Sequence, residues 1–360
     1  MHIIECGIGG GTIEFVHYLI KYQKSFNHTV ICGHRAIEGW NAKIKDTQAE
    51  INNSRIEIIE WKNAHREISL VDDAKALIEL YHIVDKLSFD VVMLHSSKAG
   101  FLGRLLFFFT GFKNVIYVPN GVSFLRSDVG NVKKQVFIWL EKIASWLSGK
   151  VICTSKSEAE SMLQHKIPAS FIFNGADLPK YSFEESKNVK FTIVTVGRVC
   201  FQKNPKMFKE IASAFVSNPN VEFVWVGDGD ADNEDISVIE SPNIKCTGWV
   251  TKNEVYSYVS KADLYISTSL WEGLPFAVIE AMNLKRPLLL HRCVGNVDMV
   301  HENKNGFIYD SVEEAVMRIN QMMADTVKLR LMGEMSFEIS SHHFSAKLMS
   351  EKYESAYSLV

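Results

Sequence analysis

"STSLWEGLPFAVIEAM", residues 267–282, runs from the end of an apolar strand through a tight loop into the start of a helix. Glu272 and Glu280 are its only ionisable side chains, with seven residues between them. An unpaired buried carboxylate is expensive, so each acid needs a partner, in the protein or in a ligand. Pro275 suits the first turn of a helix, and Gly273 allows close backbone approach just before it. The N–H groups of "GLPF" (273–276) then point at an anion or at sugar hydroxyls, with Glu272 in the same mouth. Glu280, the lone acid of "PFAVIEAMNL", suits two vicinal ribose hydroxyls as a bidentate acceptor. The alternative is a structural carboxylate favoured by the helix dipole.

Outward from this stretch, short β-rich runs alternate with amphipathic ones along all 360 residues. The first half offers strands at "HIIEC", "HTVICG", "RIEIIEW", "DVVMLHS", "NVIYVPN" and "KVICTS". The second offers "FTIVTVG", "VEFVWVG", "NIKCTGW", "ADLYIST", "RPLLLH" and "GFIYD". Helical patterns cover 12–24, 70–87, 131–148, 204–216 and 313–323, among others. Alternation with nearly continuous apolar strands predicts α/β architecture, with parallel sheets covered on both faces. The pattern restarts near residue 190, after a turn-rich, charged stretch at 173–190 that reads as a linker. Two doubly wound domains joined there leave a cleft at the carboxyl ends of their strands, where such sheets bind ligands. Ser155-x-x-Glu158 and Thr251-x-x-Glu254 read as capping boxes that open helices after strands. No internal sequence repeat is apparent.

The composition, 47% hydrophobic and 22% charged, suits sizeable cores. A formal net charge of −3 carries no basic field for nucleic acid. The six cysteines (Cys6, Cys32, Cys153, Cys200, Cys246 and Cys293) are widely spaced and read as unpaired thiols in a reducing compartment. No stretch reaches the ~18 uncharged apolar residues of a membrane span. "MHIIECGIGGG" lacks the basic start and apolar core of a signal peptide, so a cytoplasmic protein is expected.

Three further motifs bear on chemistry. "CGIGGGTIEF" (6–15) puts glycines between a first strand and a first helix, where backbone can approach a phosphate. It is not a dinucleotide fingerprint, because Thr12 stands at the third glycine position and Gly33-His34 supplies no ribose-binding acid; a plain tight turn is the alternative. "VGRVCFQKNP" (196–205) places Arg198 and Lys203 just after a strand, a fork of donors and a point charge that suit a pyrophosphate, or else two solvated cations. "GDGDADNED" (227–235) spaces Asp228, Asp230 and Asp232 alternately. As an EF-hand it fails, with Asn233 at the sixth position and Ile239 at the twelfth. It reads better as a solvated strand-end turn.

With these residues in place, the chain resembles the family 4 retaining glycosyltransferases of GT-B fold. "STSLWEGLPFAVIEAM" and "RPLLLHRCVGNVDMVHENKNGFIYD" look like the family signature, and "GRVCFQKN", "VGDGD", "TGWV" and "FNGAD" match other family positions in order. "LHSSKAGFLGR" (94–104) and "YVPNGVSFLRSD" (117–128) look like a branch that builds bacterial surface polysaccharides, O-antigen or capsule. The resemblance spans essentially the whole chain and is strongest in the second half.

The resemblance implies two Rossmann-like domains facing a central cleft: an acceptor domain at 1–174, with a final helix (345–360) packing back on it, and a donor domain at 175–344. It implies that Arg198 and Lys203 hold the diphosphate of a nucleotide-sugar donor and that Glu280 holds the ribose. Glu272, Gly273, Leu274, Pro275 and Phe276 then contact the donor sugar, Trp249 of "TGWV" lies among the donor contacts, and Gly10 and Gly11 face the diphosphate. The implied reaction needs no metal and no other cofactor; the acceptor is a glycan, expected to be lipid-linked. Where many family members carry a histidine this chain has Asn120, which hydrogen-bonds but carries no proton at neutral pH. His95, ending the preceding strand, is either a further candidate near the reacting face or a structural residue. A nucleotide-sugar epimerase or hydrolase of the same fold and a non-catalytic binding subunit are the rival readings. Residues 131–150 combine Lys133, Lys134, Lys142 and Lys150 with Phe137, Trp139 and Trp146, which suits either peripheral docking on the inner face of the cell membrane or a long core helix.

Overall fold

A strand that is apolar on both faces needs cover on both faces, and this chain meets that need twice. The structure, a computed structural model, describes residues 1–5, 10–33, 56–65, 69–179, 189–229 and 236–357. It divides into two compact units, one of Met1–Leu125, Val129–Gly175 and Ala346–Val360, the other of Arg126–Asp128 and Ala176–Ser345.

Among its described residues the first unit holds seven strands: β1 (His2–Ile4), β2 (His28–Gly33), β3 (Ile56–Trp61), β4 (Val92–His95), β5 (Val115–Val118), β6 (Lys150–Cys153) and the short β7 (Ser170–Phe171). They pair in parallel in the order β3-β2-β1-β4-β5-β6-β7. Ile3 sits opposite both Ile31 and Leu94, so one face of the sheet is aliphatic at its centre. Helices α1 (Gly11–Tyr22), α2 (Leu70–Val84), α3 (Ser97–Thr110), α4 (Asn131–Leu147) and α5 (Lys156–Gln164) alternate with these strands. Helix α2 starts where the Ser69 hydroxyl accepts from Asp72 N, and Asp72 and Asp73 in its first turn complement the helix dipole. Leu102, Leu106 and Phe107 of α3 pack with Leu94 and Tyr117 into the core.

The second unit repeats the plan without repeating the sequence. Strands β8 (Phe191–Val196), β9 (Val221–Val226), β10 (Ile244–Cys246), β11 (Leu264–Ser267), β12 (Leu288–His291) and β13 (Gly306–Tyr309) pair in parallel in the order β10-β9-β8-β11-β12-β13. Helices α6 (Pro205–Ser213), α7 (Lys252–Lys261), α8 (Phe276–Asn283), α9 (Val312–Ala324) and α10 (Thr326–His343) accompany them. Phe208, Phe223, Trp225, Leu264 and Ile266 lie in its core.

The last helix, α11 (Ala346–Tyr357), belongs to the first unit. Its Tyr353 ring meets Phe15 of α1 edge-on, and the Tyr357 hydroxyl donates to the Gln23 side chain at 3.1 Å. Every strand expected from the sequence is present; β7, two exposed residues long, was not anticipated. Cys32, Cys153, Cys200, Cys246 and Cys293 are unpaired thiols, all buried except the half-buried Cys246, and Cys6 lies outside the described residues. The stretch read as a linker is described only at its two ends, since 180–188 fall outside.

Candidate functional site

Both sheets reverse direction of winding between two central neighbours, β1 and β4 in the first unit, β8 and β11 in the second. Loops leaving such neighbours diverge, which makes this the place where open α/β sheets bind ligands. In the second unit the loop after β8 carries Arg198 and Lys203, and the loop after β11 carries the 267–282 stretch.

The β8 loop is clamped to the end of β9. Val199 N donates to Asp228 O at 2.8 Å, and the Trp225 indole N–H donates to Gly197 O at 2.8 Å. Gly227 makes this clamp possible: its φ is +142°, and a Cβ there would lie 2.1 Å from Gly197 O. Arg198 sits half-buried within it. Beyond a single 3-10 turn at Phe201–Lys203, Asn204 caps α6 by accepting from Met207 N at 3.3 Å, and Pro205 takes the first helical position.

The loop after β11 is stitched to this one. Leu270 N donates to Gln202 O and the Gln202 amide donates to Trp271 O, both at 2.8 Å; the Thr268 hydroxyl donates to Lys203 O at 2.6 Å. Across the seam the Lys203 ammonium meets Glu272 Oε1 at 2.6 Å. From the far side Gly295, after β12, presses on the same loop: its φ is +85°, and a Cβ there would lie 2.4 Å from Gly273 O. Leu274, Pro275 and Phe276 are buried. Pro275 is the N-cap of α8, one position earlier than expected, and has no side-chain oxygen to offer the helix; its carbonyl accepts from Val278 N at 3.1 Å.

Glu280 answers the question raised by its burial in an unanticipated way. At 4% exposure it is held by the ammonium of Lys252, the first residue of α7. The Thr251 box that opens α7 is complete: the Glu254 carboxylate accepts from Thr251 N at 2.8 Å, and the Thr251 hydroxyl accepts from Glu254 N. Both acids of the signature therefore have lysine partners, Lys203 for Glu272 and Lys252 for Glu280. The sequence did carry a signal for Lys252. A lysine in the first turn of a helix opposes the dipole and calls for a nearby anion. Trp249, two residues before Thr251, is exposed.

In the first unit Gly10 is the N-cap of α1 with φ +145°, its carbonyl accepting from Ile13 N and Glu14 N, and Gly11 is exposed at the first position. Residues 6–9 of that glycine motif lie outside the described ones, as do His34, Asp230 and Asp232. Asn120 adopts φ +53° in the loop after β5 and donates to Val118 O at 3.2 Å. What fixes that loop is Glu158, a wholly buried carboxylate that accepts from Gly121 N (2.8 Å), Val122 N (3.0 Å), Thr154 N (2.9 Å) and the Thr154 hydroxyl (3.1 Å). Burial pushes its carboxyl pKa up, and these donors pull it back. The Ser155-x-x-Glu158 box is thus only half formed. Ser155 accepts from Glu158 N, but the carboxylate turns to the neighbouring loop instead of back to its own cap.

His95 is a core residue, not a group at the surface of a site. It has no exposed area, and its ring lies between those of His2 and Phe15. The three buried histidines form a line: His95 Nε2 to His2 Nδ1 at 3.2 Å, His2 Nε2 to His28 Nδ1 at 3.3 Å, His28 Nε2 to Gln23 O at 3.2 Å. A carbonyl only accepts, so His28 Nε2 carries the hydrogen, and the tautomers of the other two follow. Burial lowers all three pKa values, His28 to about 4 and His95 to about 3.

Known proteins resemble this chain in sequence and in fold. A model of "Glycosyltransferase Family 4" matches residues 9–180, and one of "Glycosyl transferases group 1" matches 190–325. An Escherichia coli protein named UDP-Gal:alpha-D-GlcNAc-diphosphoundecaprenol alpha-1,3-galactosyltransferase is 32% identical over 282 residues, covering 71% of this chain and 72% of that one. The Escherichia coli O-antigen biosynthesis glycosyltransferase WbnH is 26% identical over 293 residues, 80% of this chain and 81% of its own. The fold matches Anabaena HepE, solved with UDP-glucose, with a TM-score of 0.78 at 17% identity over 100% of both chains. With two parallel α/β units, the signature stretch at the second switch point and these relatives, the chain belongs to the family 4 glycosyltransferases of GT-B fold.

Proposed function

We propose that this enzyme moves a sugar from a uridine-diphosphate donor to a lipid-linked glycan acceptor, with retention of anomeric configuration, in the assembly of a surface polysaccharide. The observation that carries the donor half is the seam between the β8 and β11 loops. It brings Arg198, Lys203 and Glu272 to one switch point, next to the N-terminus of α8, which suits a diphosphate and the sugar attached to it. The names of the Escherichia coli relatives support a uridine-diphosphate donor, a diphosphate-lipid acceptor and a polysaccharide product.

In this reading, charge that develops on the departing diphosphate is neutralised by Arg198, Lys203 and helix N-terminal dipoles. The acceptor hydroxyl then passes its proton to the departing phosphate, so no protein base is required. Asn120 offers a hydrogen-bonding amide where many family members carry a histidine, and the loop that carries it is held by Glu158. With two cations at the diphosphate, a divalent ion is redundant.

Peripheral attachment to a membrane is part of the proposal. No helix among the described residues is long and apolar enough to cross a membrane. Helix α4 instead exposes Val132, Val136, Trp139 and Trp146, a stripe at helical spacing with the half-buried Ile143 inside it; the two tryptophans are 61% and 80% exposed. Lys133 and Lys150 are exposed beside it, which suits an anionic lipid surface.

The test is to incubate purified protein with a panel of uridine-diphosphate sugars, with and without polyprenyl-diphosphate-linked glycan, in excess EDTA. Nucleoside diphosphate release that depends on the acceptor is the expected result. Release without acceptor indicates a hydrolase, binding without release a non-catalytic subunit. Activity abolished by the chelator and restored by magnesium or manganese overturns the metal-free mechanism.

A further inference from the structure

The Glu280 carboxylate is almost fully buried, yet the group that holds it is not a core residue. Lys252 leaves the first turn of α7 with its side chain 45% exposed and ends on Glu280 Oε1. Its ammonium also lies 5.4 Å from the centre of the Tyr256 ring, one turn along the same helix. An exposed lysine ordinarily gains little from one geometry. Here two partners from two directions confine it, and the complete capping box fixes the helix end from which it projects.

Charge gives the pair a further consequence. Of the residues assigned to the donor in this unit four are charged: Arg198 and Lys203 are cationic, Glu272 and Glu280 anionic. Those four cancel, so by themselves they offer a dianionic diphosphate no net attraction. Lys252 leaves the set with one positive charge in excess. A carboxylate accepts up to about four hydrogen bonds, so Lys252 and a diol are compatible on one Glu280 side chain.

We infer that Lys252 is a positioning residue of the donor site: its ammonium aims the Glu280 carboxylate at the two ribose hydroxyls and tips the charge of the cluster positive for the diphosphate. This rests on the reading of Glu280 as the ribose-binding acid, and the test separates the two.

The probes are UDP and 2′-deoxy-UDP, titrated calorimetrically into the full chain and into Lys252→Met, Lys252→Arg, Glu280→Gln and the double variant Lys252→Met/Glu280→Gln. The double variant leaves no buried charge unpaired, so loss of folding in one single variant does not end the experiment. Losing one charge-assisted contact weakens UDP binding by about 10-fold or more in Lys252→Met, and the preference for UDP over the deoxy analogue shrinks with it. Lys252→Arg stays within about threefold of the wild type, and the double variant loses less than the two single losses multiplied together, because coupled residues are non-additive. Wild-type affinity and preference in Lys252→Met, beside a weakened Glu280→Gln, overturn this inference alone and leave a structural ion pair. A Glu280→Gln variant with unchanged affinity and preference overturns the ribose reading, and this inference with it.

Discussion

Arg198 and Gly227 show how one residue sets another's geometry. Arg198 lies in a loop whose path is dictated by backbone bonds to β9, so its guanidinium is aimed by its neighbours. Arg198→Ala is expected to lower kcat/KM for the nucleotide sugar by about 10- to 100-fold, since a hydrogen bond to a charged group is worth ~1.5–3 kcal/mol, with thermal stability retained. Steady-state kinetics with varied donor measure this; a wild-type value removes Arg198 from the site. Gly227→Ala acts on the same loop by a different route. It combines a positive φ with a methyl 2.1 Å from Gly197 O, so stability is expected to fall by ~1–3 kcal/mol, visible as a lower Tm, and donor affinity with it. An unchanged Tm shows that the two loop ends are not clamped as described.

Among elements, α5 and α4 do more than cover a sheet. Helix α5 sends Glu158 out of its own first turn to hold the loops after β5 and β6. Glu158→Gln turns one acceptor into a donor facing backbone N–H groups, at an expected cost of ~1.5–3 kcal/mol in urea unfolding. Hydrogen exchange at Gly121 and Val122 is expected to rise; exchange unchanged there refutes the positioning role. The periodicity of α4 was legible in the sequence, but both a core helix and a docking helix fitted it. The structure buries Ile138, Glu141 and Ala144 on one face, ties Glu141 to the buried Arg104 at 2.6 Å, and leaves Trp139 and Trp146 outside. In flotation with anionic liposomes the protein is expected to bind, and Lys133→Glu/Lys134→Glu to lower binding about 30-fold or more, at ~1 kcal/mol per lysine near the surface. Absent binding, or binding indifferent to this charge reversal, ends the membrane proposal.

At the scale of the whole molecule the histidine line makes stability depend on pH. The folded-state pKa values of His2, His28 and His95 lie below the ordinary value near 6.5, two of them at about 4 and about 3. The unfolded chain therefore binds more protons below pH 6.5, and stability that is present in full above that pH is lost as the pH falls toward 4 and 3. Each histidine contributes a slope of up to ~1.4 kcal/mol per pH unit. Urea midpoints are expected to fall steeply already between pH 6.5 and 5, above the range where most carboxylates titrate, and a flat profile there refutes the assignment. The sequence by itself determined the strand–helix alternation, the restart near residue 190, the Thr251 cap and the signature that marks the donor loop. Each of these is written within a few residues, by periodicity and by side chains that bond their own backbone. It also marked Glu272 and Glu280 as acids in need of partners. Only the tertiary structure decided that Lys203 pairs with Glu272, 69 residues away, that Lys252 pairs with Glu280, and that three histidines from β1, β2 and β4 touch. Those contacts depend on strand order and register, which bring distant segments side by side through many weak pairings at once; a local pattern can show that Lys252 needs an anion, but not which one.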